Sequence, residues 1–185
     1  NWNSFKDKYY LMKLKKFIFK KIKSTNDTAI RLIKGGEESG IITTDTQTKG
    51  KGQRGNKWIS KKGNLFMTIF FNISNKISLK KLTSINLSIL KKIIKNQIKI
   101  KTEVKLPNDI LIYKKKVCGI LQEIIFKNNV KYLIVGVGIN IISSPDIKNY
   151  PTTYLNKYSK KKINKIKLIN EIKLIFEKKY KDIIL

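Results

Sequence analysis

Apolar residues in this chain follow two rhythms. Residues 17–22 and 40–46 are short runs rich in aromatic and β-branched side chains, and residues 65–71 and 132–137 are the longest largely apolar runs, of strand length; all four read as strands, the last two buried. Other stretches repeat at helical spacing. Ser24, Thr25, Asn26 and Asp27 offer N-caps for a short helix over 27–34 that Gly35-Gly36 would stop. Leu82, Ile85, Ile89, Leu90, Ile93 and Ile94 share one face of a helix over 79–97, and Ile166, Ile169, Ile172, Phe176 and Tyr180 form the stripe of a last helix over 163–184. Between those helices, strands over 98–106, 109–113, 117–126 and 131–139 are separated by turns at 107–108, 114–116 and 127–130, short enough for hairpins. Residues 143–162 are polar and irregular, with prolines at 145 and 151.

The predicted order is β-α-β-β-α-β-β-β-β-α, with a second half rich in hairpins. It departs from strict βαβ alternation and predicts an α+β (mixed α/β) domain: a mixed, largely antiparallel sheet with helices packed on one side. No repeat or linker divides the chain, so residues 1–185 read as one domain, with 1–16 as a basic N-terminal extension.

Composition narrows the chemistry. The chain has no histidine, which removes His-based triads, His zinc ligands and imidazole acid–base catalysis. Its one cysteine, Cys118, leaves no intramolecular disulfide and no multi-cysteine metal site, and fits a reducing cytoplasm. No stretch approaches the ~18 continuous apolar residues of a membrane span, and the aromatic- and lysine-rich start does not read as a secretory signal. The net charge of +29 invites a nucleic-acid reading. All but two of the 41 basic residues, however, are lysines spread along the chain; Arg31 and Arg54 are the exceptions. A reader of base edges or phosphates would use more arginine, so the charge is read as compositional drift and no specific DNA partner is expected.

Five segments could carry chemistry. In Gly50-Lys51-Gly52-Gln53-Arg54-Gly55, followed by Trp58, closely spaced glycines let backbone amides approach a ligand while Lys51 and Arg54 add charge. Such a loop can wrap a phosphate, or it can be a solvated connector. In Lys105-Leu106-Pro107-Asn108-Asp109 a proline corner gives Lys105 a defined direction, unless the segment is a plain turn. Ser24-Thr25-Asn26 supplies hydroxyls and an amide where a strand meets a helix, which is also what capping needs. The glycines of Val135-Gly136-Val137-Gly138-Ile139-Asn140 mark either a ligand's close approach or a bulge. Lys116-Val117-Cys118-Gly119-Ile120-Leu121 reads mostly as an ordinary strand.

Taken in order, STN, Q-x-x-G-K-G-x-R-G-x-x-W, K-x-P-N-D, K-V-x-G-I-L and G-V-G-I-N closely resemble the catalytic domain of biotin–protein ligases, from about Ile22 to Asn140. The resemblance implies a fold related to class II aminoacyl-tRNA synthetases. It also implies an ATP-dependent ligase that forms biotinyl-5′-AMP and passes biotin to a lysine of a biotin carboxyl carrier protein. Carried over by motif, Ser24, Thr25, Asn26, Gln47, Lys51, Gly52, Gln53, Lys105, Gly136 and Gly138 would bind biotin, with Ser24 and Gln47 on its ureido ring and the two glycines letting it lie against the sheet. Gly50, Lys51, Gln53, Arg54, Trp58, Lys105, Asn108, Lys116 and Asn140 would meet ATP or the adenylate, and Lys105 and Arg54 would be catalytic. Mg2+ would accompany the ATP phosphates, with no metal held by protein ligands, and the protein would be cytoplasmic with a homodimer as an optional assembly.

Three positions depart from the family pattern. Lys51 and Gln53 stand where the loop usually has arginines, and Leu106 replaces a tryptophan, read as a packing change. Lysine keeps charge without the planar fork, and glutamine loses the charge, which bears on adenylate retention. The stretch before Ser24 is too short for the helix-turn-helix domain of repressor-type ligases, and the chain ends where many relatives continue into a small β-barrel, so either a single-domain ligase or a fragment is expected. Three other readings remain: a lipoate or octanoate ligase or transferase of the same fold, which would carry consecutive loop glycines and a histidine motif; a basic nucleic-acid-binding module; and a catalytically idle remnant.

Overall fold

The computed structural model describes residues 12–74 and 76–184. It begins with β1 (Lys15–Ile22), α1 (Thr25–Lys34) and β2 (Ser39–Gln47), in which the two strands run parallel and the helix makes the crossover. Ser24 caps α1 by accepting the Asp27 N–H at 3.3 Å, so the helix starts two residues before the expected 27–34. It ends at Gly35, and Gly36 turns the chain away with φ +111°. The part of the expected extension over 1–16 that falls on residues 1–11 lies outside the described residues. Residues 15 and 16 belong to β1, and Leu14 is buried, its N–H donating to Glu177 at 2.7 Å.

All other strand pairs are antiparallel. β3 (Leu65–Asn72), β4 (Glu103–Lys105), β5 (Asp109–Ile112), β6 (Lys115–Lys127) and β7 (Val130–Ile139) complete a seven-stranded sheet in the order β1-β2-β3-β7-β6-β5-β4. The hairpins turn on Tyr113-Lys114 and Asn128-Asn129, all at positive φ as two-residue hairpin turns that match strand twist require. β4 is much shorter than the expected 98–106, because α2 (Leu79–Ile98) carries its buried stripe through Ile98 before Lys99 ends it in the left-handed region.

Helices cover both faces of the sheet, which corrects the one-sided expectation. On one face α1 buries Ala29 and Ile33 against Ile42, Phe70, Tyr132 and Ile134. On the other, α2 and α3 (Lys165–Ile184) pack Leu82, Leu90, Ile93, Leu168, Ile172, Phe176 and Tyr180 against Ile41, Met67, Ile69, Leu133 and Val135. Neighbouring residues such as Ile41 and Ile42 serve opposite cores, so the central strands read as largely apolar runs without strict alternation. The stripe of α3 is also corrected: Ile166 is exposed and Leu168 buried. At about 100° per residue, 168, 172, 176 and 180 lie within about 60° of the centre of the buried face, whereas 166 lies about 100° from it.

Candidate active site

On the α1 face the sheet extends beyond the helix, and small residues leave space there. Asn26, 3% exposed at the start of α1, fills part of it. Its Oδ1 accepts the Thr68 hydroxyl at 2.6 Å, and its Nδ2 donates to Glu123 at 2.7 Å and to the Leu121 carbonyl at 3.3 Å. A Cβ on Gly136 would come within 2.2 Å of that Oδ1, so the glycine is what admits Asn26. Gly119 and Gly138 pair across β6 and β7, and the Trp58 indole lies on them: a Cβ at either would approach its ring to 2.7 or 2.4 Å. These glycines therefore make room for the protein's own Asn26 and Trp58 side chains, which line the same cavity as the glycines themselves. The buried Trp58 Nε1–H has no acceptor among the described residues.

The loop after β2 closes over this platform. Its first residues continue beside β1, with the Thr48 and Lys49 amides donating to the Ile22 and Lys23 carbonyls at 3.0 and 2.8 Å. Farther on, the Gly52 N–H donates to Asn56 O at 2.7 Å and the Trp58 N–H to Gly50 O at 2.9 Å, giving a small hairpin with Arg54 in the left-handed region, φ 54°. Gln47 at the loop's base is held from both ends. Its Oε1 accepts the Thr25 N–H at 2.8 Å and the Thr25 hydroxyl at 3.1 Å, and its Nε2 donates to Ser60 at 3.1 Å. Lys51 pairs with Asp27, and that hydrogen bond raises the ammonium's pKa against the opposing effect of burial.

The corner between β4 and β5 forms the other wall. Asn108 ties it to β6 by donating to the Ile120 carbonyl at 3.2 Å, while the Ile120 N–H returns to Asn108 O at 2.9 Å. Asp109 is 7% exposed and held on both oxygens. Lys116 Nζ lies 2.8 Å from Oδ1 as an ion pair outside hydrogen-bond geometry, and the Tyr150 hydroxyl donates to Oδ2 at 2.5 Å. Lys105 is exposed, with its ammonium 4.3 Å from the centre of the Tyr150 ring, and the Lys116 ammonium lies 5.2 Å from that of Trp58.

Together these walls enclose a cavity of about 520 Å³, in the range of small-ligand sites. Hydroxyls and amides of Ser24, Thr25, Asn26 and Gln47 line one part. Lys51, Arg54, Lys57, Lys105 and Lys116 bring five cations, against Asp109 as the carboxylate among the lining residues. An amide-lined pocket beside such a cationic one suits a ligand that is polar and neutral at one end and anionic at the other.

The profile described as the Biotin/lipoate A/B protein ligase family matches residues 18–140, the span that carries every one of these motifs. The chain belongs to this family. A bifunctional ligase/repressor BirA of Bacillus spizizenii is 33% identical over 171 residues, 87% of this chain and 52% of that protein. The chain thus spans about half the length of the curated relatives it matches first. A biotin protein ligase from Aquifex aeolicus in complex with biotin and ATP superposes with a TM-score of 0.75 at 25% identity, over 91% of this chain and 72% of that one. A Plasmodium falciparum LipL1 in complex with lipoate is more distant, with a TM-score of 0.55 at 15% identity over 90% and 63% of the two chains, and shows the fold alone.

Within this biotin/lipoate ligase fold, the expected residues Ser24, Thr25, Asn26, Gln47, Lys51, Gly52, Gln53, Arg54, Trp58, Lys105, Asn108, Lys116, Gly136 and Gly138 all line the one cavity. Gly50 and Asn140 do not. Gly50 is packed against the Trp58 carbonyl and Ser60, and the Asn140 amide donates to Thr153 O at 3.1 Å behind the wall. Leu106, read from sequence as a packing change, is instead 75% exposed at the cavity edge. Sequence reasoning did not single out Gly119 or Asp109 although both lie inside quoted motifs, and it missed Ile147 and Tyr150 altogether. Those two sit in the irregular stretch beyond the family match, where no periodicity or motif marks them.

Proposed function

We propose that this chain activates biotin with ATP to biotinyl-5′-AMP and transfers the biotinyl group to a lysine of a biotin carboxyl carrier protein. The observation that carries this reading is the convergence of the amide-lined and cation-lined walls on one cavity, within a chain of this family. In the first step a biotin carboxylate oxygen attacks the α-phosphorus of ATP, and the bond to the departing pyrophosphate breaks. In the second, the carrier lysine's neutral amine attacks the acyl carbon, the acyl–phosphate C–O bond breaks, AMP leaves with the electron pair, and the amine's proton passes to solvent.

On this reading Gln47 and Ser24 meet the ureido ring. Gln47 is fixed by Thr25 and Ser60, which leaves one Nε2 hydrogen to donate, and the Ser24 hydroxyl keeps its own hydrogen while it caps α1. Lys105 meets the carboxylate and the α-phosphate, where negative charge grows in the transition state, and Arg54, Lys51 and Lys116 add to the positive potential. Magnesium would enter as the partner of the ATP phosphates. The lining carboxylate, Asp109, has both oxygens engaged, by Lys116 and by Tyr150. No helix among the described residues is long and apolar enough to cross a membrane, and the buried free Cys118 suits the reducing cytoplasm we propose as its location. A homodimer remains an optional assembly in this reading.

Biotin-dependent exchange of labelled pyrophosphate into ATP tests the reading. The chain should catalyse it with biotin and not with lipoate or octanoate. Exchange that follows lipoate instead, or that is absent with every acid offered, overturns it.

A further inference from the structure

Tyr150 stands out among the cavity residues because neither the function just proposed nor the sequence motifs give it work. The stretch around it is irregular, yet it is pinned on both sides. Tyr150 N–H donates to Ile147 O at 3.1 Å, the Lys116 N–H to Pro151 O at 2.9 Å, and the Thr153 N–H back to Lys116 O at 2.8 Å. Asn149 just before it adopts φ 62°, turning the chain so that Tyr150 lines the cavity. Its hydroxyl donates to Asp109 Oδ2 at 2.5 Å, and Asp109 is in turn paired with Lys116 at 2.8 Å. The ring is thus fixed at its outer end by a buried carboxylate. Its face carries the Lys105 ammonium at 4.3 Å, with the Lys116 ammonium at 5.5 Å.

A lysine side chain has four rotatable bonds and little intrinsic direction. Lys105 is exposed and has no ion pair among the described contacts that would hold it at the cavity. The negative face of an aromatic ring attracts the ammonium without neutralising it, so the charge stays available to an incoming anion. A carboxylate in the same place would hold Lys105 more strongly and cancel its field. We propose that Tyr150 is a positioning residue, which holds the Lys105 ammonium at the anionic end of the ligand on the face of its ring and is itself anchored by Asp109. This rests on the reading of Lys105 as the group that meets the phosphate.

The hydroxyl and the ring can be separated. Tyr150→Phe keeps the ring and loses the anchor, whereas Tyr150→Leu loses both. Each is made in the wild-type and Lys105→Ala backgrounds, and biotin-dependent pyrophosphate exchange is measured. Misplacing a reacting group by about an ångström can cost ~10²-fold. Tyr150→Leu should therefore lower kcat by about 10- to 100-fold with little change in the KM for biotin. Tyr150→Phe should cost far less, and neither change should lower the residual rate once Lys105 is alanine. An equal loss in both backgrounds would assign Tyr150 a general structural role and overturn the proposal.

A second readout needs no activity. With lysines carrying labelled methyl groups, and Lys105 assigned by loss of its signal in Lys105→Arg, the Lys105 resonance should be shifted upfield by the ring in wild type and Tyr150→Phe and return to the bulk position in Tyr150→Leu. An unshifted wild-type resonance overturns the proposal even if exchange is normal. If wild type shows no biotin-dependent exchange, the biotin reading fails by itself and the resonance decides Tyr150.

Discussion

At the scale of single residues, the cavity's chemistry depends on side chains that share a few atoms of space. Lys105→Ala should remove a charge made useful only in the transition state, a loss of ~3–4 kcal/mol or a factor of 10² to 10³ in rate. The fold should be unaffected, because Lys105 is exposed and its ring contact lies at the surface of the cavity. Near-normal exchange by the folded variant would remove Lys105 from the mechanism. Gly136→Ala is expected to act differently. Its Cβ would stand 2.2 Å from Asn26 Oδ1, so Asn26 must leave a position where Thr68 and Glu123 hold it. Overpacking of this kind typically costs ~1–3 kcal/mol, which urea unfolding would register together with weaker biotin binding. Unchanged stability and binding would mean that Asn26 has another resting place.

At the scale of elements, the parallel β1-α1-β2 unit brings the Ser24–Asn26 cap and the Gln47 loop to the same end of the sheet, and the β4–β5 corner faces them from the other side. The loop is held at Gly50, Gly52 and Trp58 by its own backbone bonds, yet Lys51 and residues 54–57 are exposed. A segment with few buried apolar contacts opens at low free energy. Amide exchange over residues 50–57 should therefore be fast in the free protein and slow when biotin and ATP are both present. Equal exchange at saturating ligand would make the loop a connector. Gln53 bears on the same element: where the family pattern has arginine, its amide offers hydrogen bonds without charge, and Arg54 beside it lines the cavity.

For the molecule as a whole, a net charge of +29 sets long-range behaviour more than specificity. An acidic carrier domain should be attracted at low salt, and transfer under subsaturating carrier should slow as ionic strength rises, since screening acts within ~10 Å at 0.1 M. A carrier whose target lysine is replaced should bind and remain unmodified. DNA should bind without sequence preference and be released by ~0.15 M salt, because counterion release requires no base readout. Tight sequence-selective binding of duplex DNA at that salt, indifferent to biotin and ATP, would favour a regulator over a ligase.

The order of the ten α-helices and β-strands among the described residues was legible in the chain, because periodicity and turn residues are local and each element's side chains report its own period. The motif residues were legible for a related reason: a cap, a glycine loop and a proline corner are local structures whose residue types are set by their backbones. Three things were decided only by tertiary structure. The helices divide between two faces because β1 and β2 run parallel, a pairing that no local pattern reports. Gly136 and Gly138 serve Asn26 and Trp58, residues distant along the chain that meet them only when the sheet is assembled. Tyr150 enters the cavity from a stretch without periodicity, held by the Lys116 backbone and by Asp109, so its place follows from contacts the sequence does not write down.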